Sequence, residues 1–194
     1  MPLWGATDSD ESKPKNLTTA EKKEVFANSS GWVREAGSAL TGNDNTSATP
    51  EVLVAIGGLT TSLGAADITD IEFVTTAFDK SDGGNIDVLV RFNEAVDVTG
   101  TPRVSITNGN QGSGSGRGPH LANYLSGTGS NELTFRCTIA AANAATNAND
   151  VLTIGTNALA LNSGTIKDAG TNTASTITNS ASIGTAAGSI TVTA

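Results

Sequence analysis

Acidic side chains are the residues whose spacing first suggests chemistry. Asp79, Asp82 and Asp87 surround the turn KSDGGN. Calcium needs several oxygen ligands that converge within one loop, but the spacing of these aspartates matches no defined calcium loop. The pattern favours solvated carboxylates that bond to nearby backbone amides. Further acidic residues lie near other turns: Glu94, Asp97 and Asp168. Glu94 and Asp97 are expected to flank Ala95 and Val96 at a sheet edge. We predict no cofactor and leave calcium at the three aspartates open.

The sequence lacks the residue types that nucleophilic catalysis and zinc binding need. A hydrolytic triad needs a base, and the single histidine, His120, follows Gly118-Pro119 at a strand entrance, which predicts a surface position. Zinc needs several His or Cys ligands. The single cysteine, Cys137, lies in the alternating run LTFRCTI and is expected to be a small apolar strand residue. The segment GSGSGR lacks the Lys-Ser/Thr ending and the following helix of a phosphate loop. We predict that the protein is not an enzyme.

The two tryptophans carry the hypothesis of a protein partner. Trp4 stands in the tetrad Pro2-Leu3-Trp4-Gly5, at the head of a polar arm. A buried tryptophan supplies a large contact area and a directed N–H group. An isolated tetrad cannot form a core, so it either packs back on its own chain or inserts into a neighbour. Trp32 is expected either in a local core or, with Val33, at a partner surface. The predicted partner-binding residues are Leu3, Trp4, Trp32 and Val33.

Composition and charge exclude several functional classes. The net charge is −8, and basic residues are scattered, which argues against a protein that binds nucleic acid through its phosphates. No segment approaches the roughly 18 apolar residues that span a membrane. The N-terminus lacks the basic start and apolar stretch of a signal peptide. A weakly charged chain rich in Thr, Asn and Gly is typical of an extracellular protein or of a component of a large assembly.

Residues 1–66 are predicted to form an N-terminal arm and a docking module. The first sixteen residues contain almost nothing apolar after Trp4 and should be an extended arm. Thr18-Thr19-Ala20-Glu21 predicts a capping box that opens a short helix through about Asn28. The segments GWVRE and PEVLVAIGG predict two strands separated by a polar loop, with a buried strand over residues 52–56.

Residues 67–194 are predicted to form an antiparallel β-sandwich. Apolar and polar residues alternate in short runs that end at Gly, Asn, Asp or Pro. The inward positions are expected to hold Phe73, Val88, Val90, Phe92, Leu133, Phe135 and Ile154. The Gly- and Ser-rich stretch 109–118 is expected to be a flexible, exposed loop. Strands are predicted over residues 68–74, 86–92, 103–107, 121–125, 133–139, 151–154, 158–161 and 189–193.

Part of this second segment resembles a known family. Residues about 69–175 contain RFNEAVDVTGTPRVSITNG, YLSGTGSNELTFRCTIAAANA and ALALNSGTIKDAGTN. In this order the motifs are similar to a bacterial immunoglobulin-like repeat of large surface adhesins. The chain departs from the repeat at Asn162-Ser163 and carries one copy where adhesins carry many. The resemblance implies an all-β, immunoglobulin-like sandwich behind the N-terminal region with its one short helix.

The front of the chain resembles a different group. MPLWG, KPKNLTTAEKKEVFANSSGWVREAG and PEVLVAIGGL are similar to the N-terminal regions of virion structural proteins in tailed phages of marine bacteria. In that group a shared front precedes differing downstream portions. This resemblance implies a non-enzymatic virion protein at the particle surface, most simply a capsid decoration protein. Its partners would be the major capsid protein or a tail protein.

Two alternatives stay open at this stage. The first is a tail, fibre or adhesin-type component whose sandwich binds a host cell-surface glycan or protein. The second is an enzyme that acts on surface polysaccharide, which would need paired carboxylates in a cleft and aromatic platforms for sugar rings. With one Tyr, two Trp and five Phe, such platforms are scarce.

Overall fold

The computed structural model describes residues 13–14, 16–42, 44–109 and 118–194, and these form an all-β protein. Leu3, Trp4 and residues 110–117 of the expected flexible loop lie outside the described residues. Twelve strands join into one mixed sheet network. The strands are β1 (Val25–Asn28), β2 (Gly31–Arg34), β3 (Glu51–Ala55), β4 (Ile68–Phe73), β5 (Phe78–Asp79), β6 (Gly84–Thr99), β7 (Arg103–Gly109), β8 (His120–Ser126), β9 (Ser130–Ile139), β10 (Val151–Ala160), β11 (Thr165–Asp168) and β12 (Ser189–Thr193); the helices are α1 (Thr19–Lys23) and α2 (Ala181–Ala186).

Helix α1 begins as the sequence predicts and ends earlier. The Thr18 hydroxyl accepts the amide N–H of Glu21, and the Glu21 carboxylate accepts the N–H of Thr18, so the capping box is confirmed. The helix ends at Lys23, whereas a helix through about Asn28 was expected. Residues 25–28 instead form β1, because Val and Phe favour strands and β2 lies directly beside them as a pairing partner.

Strands β1, β2 and β3 form an antiparallel sheet in the N-terminal module. Within the described residues β3 pairs only with β2, so its other edge carries no strand. The expectation of a buried strand over residues 52–56 is wrong, because Val52 is 49% exposed and the whole strand is only partly covered. The module has its own apolar cluster, built on Val25, Ala27, Trp32 and Leu59.

The remaining strands enclose a second, larger apolar cluster. Strand β6 pairs with β9 along one edge and with β4 and then β11 along the other. From β9 the sheet continues through β8, β7, β10 and β12 to β5. The expected inward alternation is confirmed for Val88, Val90, Phe92, Leu133, Phe135 and Ile154, and Phe73 is partly buried against the same cluster. The domain boundary between residues 66 and 67 stays a prediction: the apolar cluster of the module lies before it, and the larger cluster lies after it except for Ala66.

Several elements differ from the sequence-based expectation. Strand β6 runs on to Thr99, and the two strands expected over residues 151–161 are one strand, β10, with a register shift between Ile154 and Leu159. Strands β5 and β11 and helix α2 were not expected. They are short and were hidden in Thr-, Ala- and Gly-rich stretches without a clear apolar period.

The described part of the N-terminal arm also differs from the expectation. Lys13 and Pro14 are buried, so this end of the arm packs against the protein. None of the helices in the described residues has the length and apolar content of a membrane span.

Candidate functional site

The two apolar clusters meet at a polar junction centred on strand β6. Strand β1 lies parallel to β6 at one position, where Ala27 stands opposite Glu94. This position falls within the interval where the pairing between β6 and β9 shifts register, between Arg91 and Val96. The β6–β9 pairing is therefore interrupted in this interval, and strand β1 of the N-terminal module lies beside the break. We call the contact region of β1 with β6 the junction.

The outward side of the junction is an ion-pair network around Arg91. Burial lowers the pKa of the guanidinium, but the surrounding carboxylates outweigh burial, and the pKa is raised. The network joins the module to the second segment, because Glu35 belongs to the first and the other carboxylates to the second. The distances from the Arg91 nitrogens to carboxylate oxygens are 2.8 Å for Glu72, 2.8 Å for Glu132, 3.4 Å for Asp70 and 3.5 Å for Glu35.

Two further contacts extend this network across the junction. The Lys23 ammonium lies 2.9 Å from a carboxylate oxygen of Asp70, which is almost fully buried. The Asn131 side-chain amide donates to Glu35 at 3.1 Å. Burial, followed by the charge of Glu132, raises the pKa of Glu35 to about 7. The net charge of the network at the junction therefore depends on whether Glu35 is protonated.

Lys13 adds a buried cation beside the same network. Its ammonium donates to the carbonyl oxygen of Lys22 at 2.5 Å. Burial lowers its pKa to about 8, while the charges of Glu35 and Asp70 oppose this shift. Lys13 also lines a cavity of about 400 Å³ between α1, β4 and α2, together with Lys22 and Lys23. Three lysines give the wall of this cavity positive charge, and the pairing of Lys23 with Asp70 reduces it.

The inward side of the junction holds two buried carboxyl groups, Glu94 and Asp168. Glu94 is 0% exposed and Asp168 is 1% exposed. Burial raises the pKa of Glu94 to about 8, and the negative charges of Asp168 and Asp67 act in the same direction. No hydrogen bond from any other described residue reaches either oxygen of Glu94 or Oδ2 of Asp168, and a hydrogen bond between the two carboxyl groups themselves helps to raise the pKa of Glu94. Because buried polar groups are normally paired, these three oxygens need an explanation.

Asp168 is held in place by its other oxygen. Its Oδ1 accepts the backbone N–H of Thr171 at 2.6 Å and the Thr171 hydroxyl at 3.0 Å. Both carboxyl groups line a cavity of about 250 Å³, whose other walls come from β1, the β1–β2 turn and Thr60. The expectation that Glu94 flanks a sheet edge is wrong, because its side chain is fully buried at the junction.

The sequence held a signal for Glu94 that the expectation did not use. Even-numbered positions of β6 point inward from Ile86 to Phe92, and Glu94 continues the same alternation before Val96. A carboxylate at an inward position indicates either that the strand ends there or that the carboxylate is buried. Because β6 continues to Thr99, Glu94 is a buried carboxylate.

The structure does not bring together the aspartates considered for calcium. Asp87 accepts two hydrogen bonds from the Arg136 guanidinium, at 2.7 and 2.6 Å, and this pairing lowers the pKa of Asp87. Asp79 accepts the backbone N–H of Ser81 at 2.7 Å. Asp82 lies with Asp79 along a separate cavity. Among the described residues, no group of three or more His, Cys, Asp or Glu side chains has a geometry that holds a metal ion.

His120 and Cys137 are both half-buried. His120 begins β8 and stays partly exposed, and its Nε2 lies 3.1 Å from the Thr146 hydroxyl and 3.4 Å from the Asn108 amide nitrogen. Burial lowers the pKa of His120. Cys137 packs against the larger apolar cluster as expected, and burial raises the pKa of its thiol.

Two of the predicted partner-binding residues lie inside the N-terminal module. Trp32 and Val33 are both 0% exposed, and Trp32 belongs to the apolar cluster of the module. This corrects the expectation of a partner contact through these two side chains, because they support the sheet from within. The apolar side chains that the described part of the module does expose are Leu40 (48%) and Val52 (49%).

Comparisons with protein-family models, with curated proteins and with solved structures gave no match to this chain.

Proposed function

We propose that this chain is a non-enzymatic structural protein of a phage virion. In this proposal it is a capsid decoration protein: the N-terminal module docks on the major capsid protein or on a tail protein, and the second segment faces outward from the particle surface. We further propose that residues 67–194 are an immunoglobulin-like sandwich. The resemblances of the two parts of the sequence supply this assignment, and the junction and the outer strand of the module support it.

The edge of β3 that no described strand pairs with is the observation that carries the docking role. An edge strand presents unpaired N–H and C=O groups that can pair with a strand of another protein. Soluble proteins usually protect such an edge with charge, proline or a covering element. Here the middle of β3 is Val52-Leu53-Val54, with Val52 at 49% exposure. Leu40 adds a second exposed apolar side chain in the same module.

The ion-pair network supports the display role. A module that docks must hold the outward domain in a defined position, and apolar contact alone does not do this here because the two apolar clusters are separate. Arg91, Lys23 and Asn131 instead connect the segments through side-chain contacts of 2.9 to 3.5 Å. The contact is therefore directional, as an oriented display domain requires.

Placing a charge on the β3 edge tests the docking role. Val52→Lys should prevent incorporation into particles, because a lysine on an edge strand opposes strand addition and cannot be buried in an apolar interface. Leu125→Lys is the matched control, since Leu125 is also 49% exposed but lies on β8 in the outward segment. Incorporation is measured as the amount of each variant that co-purifies with particles. Electron microscopy of those particles then shows which surface the chain occupies.

Three outcomes contradict the proposal in different ways. Normal incorporation of Val52→Lys removes β3 from the docking surface. Loss of incorporation with Leu125→Lys alone reverses the orientation of the two segments. Binding of the free, monomeric protein to host cells at nanomolar affinity would support the host-attachment alternative. Trp4→Ala in the same assay tests the predicted role of the N-terminal tetrad.

A further inference from the structure

We propose that the cavity at the junction binds a hard divalent cation of the calcium class, held by Glu94 and Asp168, and that the cation fastens the N-terminal module to the rest of the chain. The inference does not depend on the proposed virion role. The site is distinct from the aspartates around the KSDGGN turn, which bond to other groups.

Charge balance is the first step of the argument. Taking a carboxylate out of water costs several kcal/mol unless an opposite charge compensates it. In the part of the chain that the structure describes, neither Glu94 nor Asp168 forms an ion pair with a lysine, arginine or histidine. Three of their four oxygens accept no hydrogen bond from another described residue, and the two carboxyl groups lie close enough to share a proton. A positive species, either a proton or a metal cation, must therefore balance the pair.

The surroundings of the pair favour a cation with oxygen ligands. Glu94 and Asp168 line a cavity of about 250 Å³, which has room for an ion and coordinating waters. The other polar wall residues are Asn28, Ser29 and Thr60, which offer only neutral groups. A set of carboxylates, carbonyl or hydroxyl oxygens and water is the ligand set that Ca²⁺ prefers. Among the described residues that line the cavity there is no His or Cys, which argues against the softer transition metals.

The positioning of Asp168 supports the same conclusion. Thr171 holds Oδ1 through two hydrogen bonds, so the carboxylate is fixed beside Glu94, as in a carboxylate that is oriented for a metal by the groups around it. Gly170 brings the chain close to this point, because a Cβ there would lie 3.0 Å from the Thr60 carbonyl oxygen and 3.2 Å from Oδ1 of Asp168. A side chain at residue 170 would therefore crowd the wall of the site.

The location of the site explains what the cation would do. The walls come from β1 and its turn on one side, and from β6 and the end of β11 on the other. A cation between them links the N-terminal module to the second segment at the point where β1 meets β6 by a single backbone pairing. With two acidic ligands, we expect an affinity of about 10⁻⁴ to 10⁻³ M, in the range of extracellular calcium modules.

Calcium binding to the full chain tests the proposal. Isothermal titration calorimetry and thermal unfolding are run in EDTA and in millimolar CaCl₂. We expect one site, a Tm that rises by several degrees with Ca²⁺, and loss of both effects in Glu94→Gln and Asp168→Asn. Asp97→Asn is the matched control on the same strand, because Asp97 is exposed, and it should keep the full response. Asp82→Asn should also keep it.

Hydrogen exchange of the wild-type chain locates the site without any variant. Ca²⁺ should slow exchange at the amides of residues 27–29 and 168–172 and leave residues 79–84 unchanged. Protection confined to residues 79–84 overturns the proposal in favour of the KSDGGN turn. An absence of heat and of a Tm shift at millimolar Ca²⁺ also overturns it and leaves a carboxyl pair that shares a proton. Binding that persists in both Glu94→Gln and Asp168→Asn is the third result that overturns it.

Discussion

Replacing Glu35 by glutamine should change how the stability of the protein depends on pH. Glu35 lies in the junction, beside Arg91 and Glu132, and its side chain is 17% exposed. Its pKa is raised from 4.5 to about 7 by burial and by Glu132. Because the folded-state pKa lies above the unfolded value, the stabilising contribution of Glu35 is fully present below pH 4.5 and is lost as pH rises through about 7.

The size of the effect follows from the shift. A displacement from 4.5 to about 7, at about 1.4 kcal/mol for each pH unit, corresponds to about 3 kcal/mol of unfolding free energy. Glutamine keeps the shape and the contact with Asn131 but does not titrate. The free energy of unfolding of Glu35→Gln, minus that of the wild type, should therefore increase by about 3 kcal/mol from about pH 4 to about pH 8.5.

Urea unfolding at several pH values in EDTA measures this difference. Taking the difference between variant and wild type removes the contributions of other groups that titrate, such as His120 and Glu94. Glu51→Gln is the control, because the Glu51 side chain is 57% exposed and lies outside the junction network. If the difference for Glu35→Gln is flat across this pH range, or if the variant becomes relatively less stable at high pH, the reasoning is refuted.

Two further predictions concern the same junction and the module beside it. Arg91→Met should lower the free energy of unfolding by about 3 kcal/mol, because it removes the cation that four carboxylates share and leaves the buried Asp70 paired with Lys23. Arg136→Met, which removes the more exposed pair with Asp87, should cost clearly less stability than Arg91→Met in the same urea titration, and equal losses would contradict the role given to burial. Gly31→Ala should destabilise the protein by clearly more than the roughly 1–3 kcal/mol expected from backbone strain alone, because its φ is +134° and a Cβ would lie 2.0 Å from the Val54 carbonyl oxygen. Gly84→Ala, at φ +141° with no atom within 4 Å, isolates the strain, and an equal loss of stability in both variants would show that contact with β3 does not matter.

Alternation along the sequence predicted the parts of the fold that local pattern determines. The run Leu133–Ile139 has one apolar face and forms a strand with most of that face buried, whereas Leu121 and Leu125 of β8 are exposed. The capping box at Thr18 could also be predicted from the sequence, because both of its partners lie within four residues. Helix α1 ends early for a reason outside its own segment: β2 competes for residues 25–28 by offering a complete set of hydrogen bonds.

The candidate site could not be predicted in the same way. Glu94 and Asp168 are separated by more than seventy residues, and they meet because β11 pairs with the second half of β6. That pairing depends on a four-residue strand with little apolar content. The alternation shows that Glu94 faces inward, but not which element covers it. The covering element is β1, which reaches β6 through a single parallel pairing that leaves no local trace in the sequence.

The break in the β6–β9 ladder connects the two charged groups of the junction. Arg91 is the last residue before the break and Glu94 lies within it, so the centre of the ion-pair network and one member of the carboxyl pair lie within four residues of one strand. Arg91, at the odd position, pairs with carboxylates from several elements, whereas Glu94, at the even position, faces inward and has no cation beside it among the described residues. The attachment of the N-terminal module therefore depends on charge more than on apolar contact. It follows that pH, salt and divalent cations should act on this attachment before they act on the larger apolar core.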